Sequence, residues 1–177
     1  MPVGPLHLGF TLPVFARFKA KLEFLPLAIG SFIPDIELLL MWPVMGSLEA
    51  ARGPMHSLLG ALTIDVVFAL LYAHFVGAPL ISWFKSKYPN EKTHLFAGID
   101  ASQRRMPNSA VVYSALIGTV SHVLIDLFSH DRNPIFWPWD MGEGLHLMPF
   151  AKFPSSVLMH ALAAILLYWV ARKYWLK

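Results

Sequence analysis

The chain has 177 residues, of which 56% are apolar and only 14% charged, and its mean hydropathy is +0.53. Soluble domains carry about 25% charged residues, so this composition leaves too few polar groups to cover a surface in water. The apolar residues form long blocks, which predict one all-α domain over residues 1–177, a polytopic transmembrane helical bundle. The net charge of +3 comes from basic residues that flank these blocks, a pattern that favours membrane lipid over nucleic acid as a partner.

Four blocks approach the roughly 20 residues that a helix needs to cross a bilayer. They run from Leu22 to Trp42, from Met55 to Val76, from Ser109 to Phe128 and from Ser155 to Val170. The stretch from Met1 to Ala16 is also apolar, but it is short and contains three prolines. It predicts a short N-terminal helix that either crosses the membrane or packs half-way into it.

Basic residues in the loops predict the orientation of these spans. Most of them lie before the first span, between the second and third, and after the last, so they share one side of the membrane. The other side holds only Arg52, Arg132 and Lys152. The positive-inside rule then predicts a multi-pass cell membrane protein with a cytoplasmic C-terminus.

Ionisable residues inside spans are costly, so they indicate a functional site. The third block places His122, Asp126 and His130 at i, i+4 and i+8, on one face of a helix. Imidazole and carboxylate are common ligands of first-row metals. Two simpler interpretations stay open: His122 and Asp126 can form a structural hydrogen-bonded pair, and His130 can interact with the helix C-terminal dipole.

Further candidate ligands come from other segments. Asp35 lies late in the first span, directly after Pro34, where capping a broken helix is the alternative role. His56 opens the second span, and His7 joins the group if the N-terminal segment starts outside. With the orientation above, these residues fall at the depth of the third-span cluster, in the outward half of the membrane.

Other polar residues are predicted to lie apart from this cluster. On a continuous second helix, Asp65 faces away from His56 and His74 lies about 27 Å from it, so helix–helix hydrogen bonding is the favoured role for both. Additional ligands can come from a loop that carries Asp140, Glu143 and His146.

Several motifs together resemble a known family. RGPMHSLLG at 52–60 and SHVLIDLFSHDRNPIFWP at 121–138 resemble the YdjM-like inner-membrane proteins, described as membrane-bound metal-dependent hydrolases. PLHLGFTLPV at 5–14 and GSFIPDIE at 30–37 are closer to a related uncharacterised bacterial and archaeal branch. The resemblance extends to about residue 138.

The order of candidate ligands is also similar to that of the zinc-dependent phospholipase C superfamily. That likeness implies one zinc held by Asp35, His56, His122 and Asp126, with Asp126 bridging to a second metal near His7. It implies a further ligand at His130. Those enzymes complete a third site with a later His-x-x-x-Glu helix, which this chain lacks because no carboxylate follows His160 in that pattern.

The leading hypothesis is a metal-dependent hydrolase with one or two zinc ions, or another divalent metal, acting on a phosphoester such as a phospholipid head group. Asp35, His122 and Asp126 are its catalytic candidates, and Arg52 and Arg132 are candidates for holding a phosphate. Two alternatives remain, a non-catalytic protein that binds or conducts an ion and a structural protein with a hydrogen-bonded polar core.

Overall fold

The computed structural model describes residues 4–87, 108–140, 147 and 152–174, and within them the chain is helical with no β-strand. Short 3-10 turns cover Gly4–His7 and Pro54–His56, and a π-helical segment covers Ala73–Gly77. The α-helices of the described residues are α1 (Leu8–Phe18), α2 (Phe24–Gly30), α3 (Asp35–Met45), α4 (Leu58–Leu62), α5 (Ile64–Tyr72), α6 (Ala78–Lys87), α7 (Ser109–Asp126) and α8 (Lys152–Tyr174).

These helices combine into four segments that are long and apolar enough to cross a bilayer. The segments are Phe24–Met45, Ile64–Lys87, Ser109–Asp126 and Phe153–Lys173. The shortest has 18 residues and therefore a length of about 27 Å, close to the thickness of the hydrocarbon layer. The prediction of an all-α membrane protein with four long spans is confirmed.

The outer surface of the bundle is apolar. Leu39, Val44 and Phe75 are each about 70% exposed although they lie within spans. Water would penalise such side chains, whereas lipid chains solvate them. The surface of the spans is therefore a lipid-facing one.

The second span begins later than the sequence predicts. Met55 and His56 belong to a 3-10 turn, and Thr63, whose backbone is not helical, separates α4 from α5. The second span is therefore present, but its predicted bounds, Met55 to Val76, are wrong, because residues 55–63 form a turn and a short separate helix and the continuous apolar helix runs over Ile64–Lys87.

Two helix–helix contacts, α1 with α8 and α2 with α7, pack the segments that carry the candidate ligands. The N-terminal helix α1, with 11 residues too short to span, packs on α8. Helices α2 and α7 approach backbone to backbone, since a Cβ atom at Gly30 would lie 2.7 Å from the Ala115 carbonyl oxygen. Helix α7 starts where the Asn108 side chain accepts a hydrogen bond from the Val111 amide.

Candidate metal centre

Six candidate ligands from different segments meet in the interior of the bundle. Two groups of them place their ligand atoms within 4.8 Å of one another, and these groups are His7 with His122 and Asp126, and Asp35 with His56 and His122. His130 joins through its Nε2 atom, which lies 3.6 Å from Asp126 Oδ1. The structure thus gathers all the candidate ligands of the sequence analysis except those of the loop at 140–146.

Asp126 is the centre of this arrangement, because its two oxygens face different histidines. Oδ1 lies 3.4 Å from His7 Nε2 and 3.6 Å from His130 Nε2. Oδ2 lies 3.3 Å from His122 Nε2 and 3.9 Å from His56 Nε2. A carboxylate in this position can serve one metal ion or bridge two.

Asp35 supplies the second carboxylate. Its Oδ1 lies 3.6 Å from His122 Nε2 and 3.8 Å from His56 Nε2. It is the first residue of α3, after a bend that interrupts the first span at residues 31–34. Its side chain is 21% exposed, whereas Asp126 and the four histidines are at most 1% exposed, so Asp35 marks the accessible side of the centre.

Three histidine rings are held by hydrogen-bond acceptors at Nδ1, on the side of the ring that faces away from Asp35 and Asp126. These pairs are His122 with the Ser31 carbonyl oxygen (2.8 Å), His56 with Glu37 (3.0 Å) and His130 with Glu49 (3.1 Å). Because Nδ1–H donates in each pair, Nε2 keeps its lone pair. The three Nε2 atoms are buried and have no hydrogen-bond partner among the described residues. This is the orientation that metal-ligating histidines adopt.

Burial lowers the pKa of the three histidines of the centre that lie outside the spans, which favours the neutral form that metal binding requires. Burial holds the pKa of His7 well below its ordinary value, and the neighbouring His122 adds to the effect. Burial and then the Arg52 guanidinium do the same to the pKa of His56. Burial also lowers the pKa of His130, although its hydrogen bond to Glu49 opposes the change.

Among the residues that the structure describes, Arg52 is the arginine that lies inside the centre. It is buried, and its Nη1 donates to Asp126 Oδ2 at 2.6 Å. Its Nε lies 3.9 Å from Glu49 Oε2. Arg132, the other candidate for a phosphate contact, lies two residues beyond His130 and is half-buried.

The formal charges of the centre do not cancel. Asp35, Glu37, Glu49 and Asp126 contribute four carboxylates, against the single guanidinium of Arg52, which leaves a formal charge of −3 with neutral histidines. Buried charge is costly unless it is paired or coordinates a metal. The centre therefore has the electrostatic character of a cation site, and two divalent ions would change its charge to +1.

Local backbone features explain how His56 reaches the centre. The amide of His56 donates to the Gly53 carbonyl, which closes the 3-10 turn. The Ser57 hydroxyl then accepts from the Gly60 amide and caps α4. The Leu58 amide donates to the Ile135 carbonyl, so this turn is tied to the segment that follows His130.

Asp65 lies closer to the centre than the sequence predicts. Because the helix breaks at Thr63, Asp65 is turned into the bundle, within electrostatic range of His122 and Glu37. Both of its carboxylate oxygens are buried without a hydrogen-bond partner among the described residues, so the expected helix–helix hydrogen bond is not formed there. His74, for which the same role was expected, is exposed and contacts the ring of Phe75.

Sequence reasoning missed Glu37 and Glu49. Glu37 is two residues from Asp35 and Glu49 is in a loop, so neither shows ligand spacing. The available signal for Glu37 was its position inside a span, where a carboxylate needs a partner. Asp140 is half-buried and belongs to neither ligand group, and Glu143 and His146 lie outside the described residues.

The fold and this centre define a class, a helical membrane protein with four spans and a buried cluster of histidines and carboxylates. Residues 1–176 match the model of one family, the domain of unknown function DUF4184, and the chain belongs to that family. No curated protein and no solved structure matches it.

Proposed function

We propose that this protein is a membrane-embedded, metal-dependent hydrolase of phosphoesters that uses one or two zinc ions. The observation that carries the proposal is the convergence of buried Nε2 atoms on Asp35 and Asp126, with the opposite ring nitrogens held by acceptors. A purely structural polar core would pair these Nε2 atoms with hydrogen-bond partners instead.

The donor set favours zinc. Zinc binds imidazole and carboxylate in sites of low coordination number, and catalytic sites keep one position open. With no cysteine in the chain, other first-row divalent metals remain possible occupants of the same nitrogen and oxygen ligands. The two faces of Asp126 support either one ion or two.

Hydrolysis of a phosphoester fits the charges around the ligands. A bound metal of this kind lowers the pKa of a coordinated water and polarises a phosphoryl oxygen. Arg52 lies against Asp126, where a guanidinium can hold a phosphate oxygen in bidentate fashion. In this proposal Asp35, His122 and Asp126 form the catalytic core, and Arg132 is a second candidate for phosphate contact.

A lipid head group is the proposed substrate. Asp35, the accessible ligand, belongs to the first span, and Leu39 one turn further on is 71% exposed on the lipid-facing surface. The distribution of basic residues supports a site in the outward half of an inner membrane, with the C-terminus in the cytoplasm. The resemblance of the ligand order to phospholipase C also supports this substrate, by analogy of family alone.

The metal itself is tested by elemental analysis of detergent-purified protein. We expect near-stoichiometric zinc in the wild type and little in His122→Ala, because His122 belongs to both ligand groups. His160→Ala is the matched control, since that half-buried histidine lies on α8 and bonds the Ser156 carbonyl. A folded wild type that takes up no divalent metal would remove the hydrolase proposal.

Turnover is tested with a panel of phospholipids and soluble phosphate esters. We expect Arg52→Lys to keep its metal but to lose most of the turnover, because lysine retains the charge and loses the planar pair of donors. Release of the phosphorylated head group, measured for both proteins at equal metal content, checks this. Equal turnover of the variant and the wild type would show that Arg52 does not contact the phosphate.

Asp65 favours a second candidate function, ion conduction. A buried carboxylate without a described partner, next to a cation site, is a feature of ion pathways in membranes. Flux of divalent ions into liposomes containing the protein separates the two functions. Metal-dependent flux that Asp65→Asn abolishes, without head-group release, would favour conduction.

A further inference from the structure

Glu37 collects hydrogen-bond donors from one short segment of the chain. Its Oε2 accepts from the Gly53 amide at 2.9 Å and faces His56 Nδ1 at 3.0 Å. The side chain is 9% exposed, so water does not supply these partners in its place.

The segment that Glu37 holds is the one that delivers His56 to the centre. It has no long helix of its own, only the 3-10 turn Pro54–His56, which Gly53 precedes in a non-helical conformation. Space around Gly53 is limited by the same side chain, because a Cβ atom there would lie 2.9 Å from Glu37 Oε1. One carboxylate on α3 therefore determines both the path of the backbone and the tilt of the imidazole.

We propose that Glu37 is a positioning residue of the metal centre, which acts through His56 by keeping its proton on Nδ1 and its Nε2 lone pair towards Asp35 and Asp126. This inference rests on the metal centre of the proposed function and is independent of hydrolysis. Such carboxylate–histidine pairs orient the ring and raise its basicity, and their loss typically costs about 10–100-fold in metal affinity.

The chemistry of glutamine makes Glu37→Gln a sharp test. The positions around this side chain are occupied by N–H donors, and the amide NH₂ of glutamine is itself a donor. Because both donors reach Oε2, glutamine keeps these bonds only with its carbonyl oxygen at that position, where it is a neutral acceptor and so a weaker one than the carboxylate. Glu37→Asp keeps the charge but withdraws it by one methylene, so it is expected to lose less affinity.

Glu49 offers an internal comparison. It bonds His130 Nδ1 at 3.1 Å, but its side chain is 27% exposed, compared with 9% for that of Glu37. Water can replace part of that hydrogen bond. Glu49→Gln is therefore expected to weaken metal binding less than Glu37→Gln.

The experiment is a double-mutant cycle on full-length protein in detergent, with Zn²⁺ affinity measured by competition against a chelating dye. We expect Glu37→Gln to lower affinity by about 10–100-fold in the wild-type background and to have almost no effect in the His56→Ala background. The visible spectrum of bound Co²⁺ is expected to change in Glu37→Gln and to stay unchanged in the control Glu23→Gln. Melting in excess chelator measures folding separately.

Each result of this cycle either supports or overturns the positioning role of Glu37. Unchanged affinity in Glu37→Gln, an equal loss in both backgrounds, or a wild type that binds no metal would each overturn the inference. If Glu37→Gln does not fold, the same cycle is run with Glu37→Asp and the same criteria. Absence of phosphoester turnover alongside a non-additive cycle would remove the hydrolase and leave Glu37 in its positioning role.

Discussion

Asp126→Asn is expected to leave the centre without bound metal. The two oxygens of Asp126 face His7 and His130 on one side, and His56 and His122 on the other. An amide keeps the shape but loses the negative charge, and its NH₂ group cannot bind a cation. Elemental analysis of the purified variant is expected to show little zinc, whereas the exposed neighbour Asp131, changed to Asn, is expected to leave the zinc content unchanged.

The same substitution is expected to destabilise the protein, because Arg52 loses its partner at 2.6 Å. A buried charge left without its partner costs about 3–5 kcal/mol. Combining Arg52→Met with Asp126→Leu is expected to recover much of that loss, because an apolar pair can replace a buried ion pair. The double variant should still bind no zinc, which separates folding from metal binding.

Thermal unfolding in the presence of a chelator measures the loss of stability, and elemental analysis measures the loss of zinc. A stable Asp126→Asn variant with wild-type zinc would show that Asp126 is not a ligand. A double variant as unstable as Asp126→Asn would show that Arg52 contributes more than its pairing with Asp126.

Gly118→Ala is expected to be the most disruptive small substitution in a span. A Cβ atom at Gly118 would overlap the Leu27 carbonyl oxygen and lie 2.9 Å from the Ser31 amide nitrogen, and backbone atoms cannot rotate away. Helices α2 and α7 must separate, at a cost of about 1–3 kcal/mol or more. The separation also displaces the Ser31 carbonyl from His122, so zinc affinity is expected to fall.

Gly77→Ala is the matched control. Its Cβ atom would meet only the ends of the Leu25 and Ile29 side chains, at 3.1 Å and 3.2 Å, and these can adjust. The midpoint of thermal unfolding and the zinc affinity of both variants give the comparison. Equal, small effects of the two substitutions would show that the close approach of α2 and α7 is not needed for stability or for zinc affinity.

The spans were predictable because their signal is local. Hydropathy over about 20 residues and the Asn108 cap locate α7, and neither depends on the rest of the fold. The start of the second span was not predictable, because the residues from Met55 to Leu62 are also mostly apolar and run directly into the helix that follows. The break at Thr63 comes from tertiary contacts, such as the hydrogen bond from Thr119 to the Ala61 carbonyl.

The positions of the candidate ligands were predictable where spacing or depth indicates them. His122, Asp126 and His130 share a helix face, and Asp35 and His56 were placed at the same depth. The partners of the Nδ1 atoms were not predictable, because Glu37, Glu49 and the Ser31 carbonyl lie far from their histidines along the chain. Asp65 was misplaced because its direction depends on the break in the helix.

The rings of His56, His122 and His130 differ in whether a single amino-acid substitution can remove the hydrogen-bond acceptor at Nδ1. His56 and His130 depend on Glu37 and Glu49, and a single codon change can remove either carboxylate. His122 instead donates to a peptide carbonyl, which every amino acid carries, so replacing Ser31 leaves this acceptor in the chain. The histidine shared by both ligand groups thus has the anchor that is least exposed to mutation.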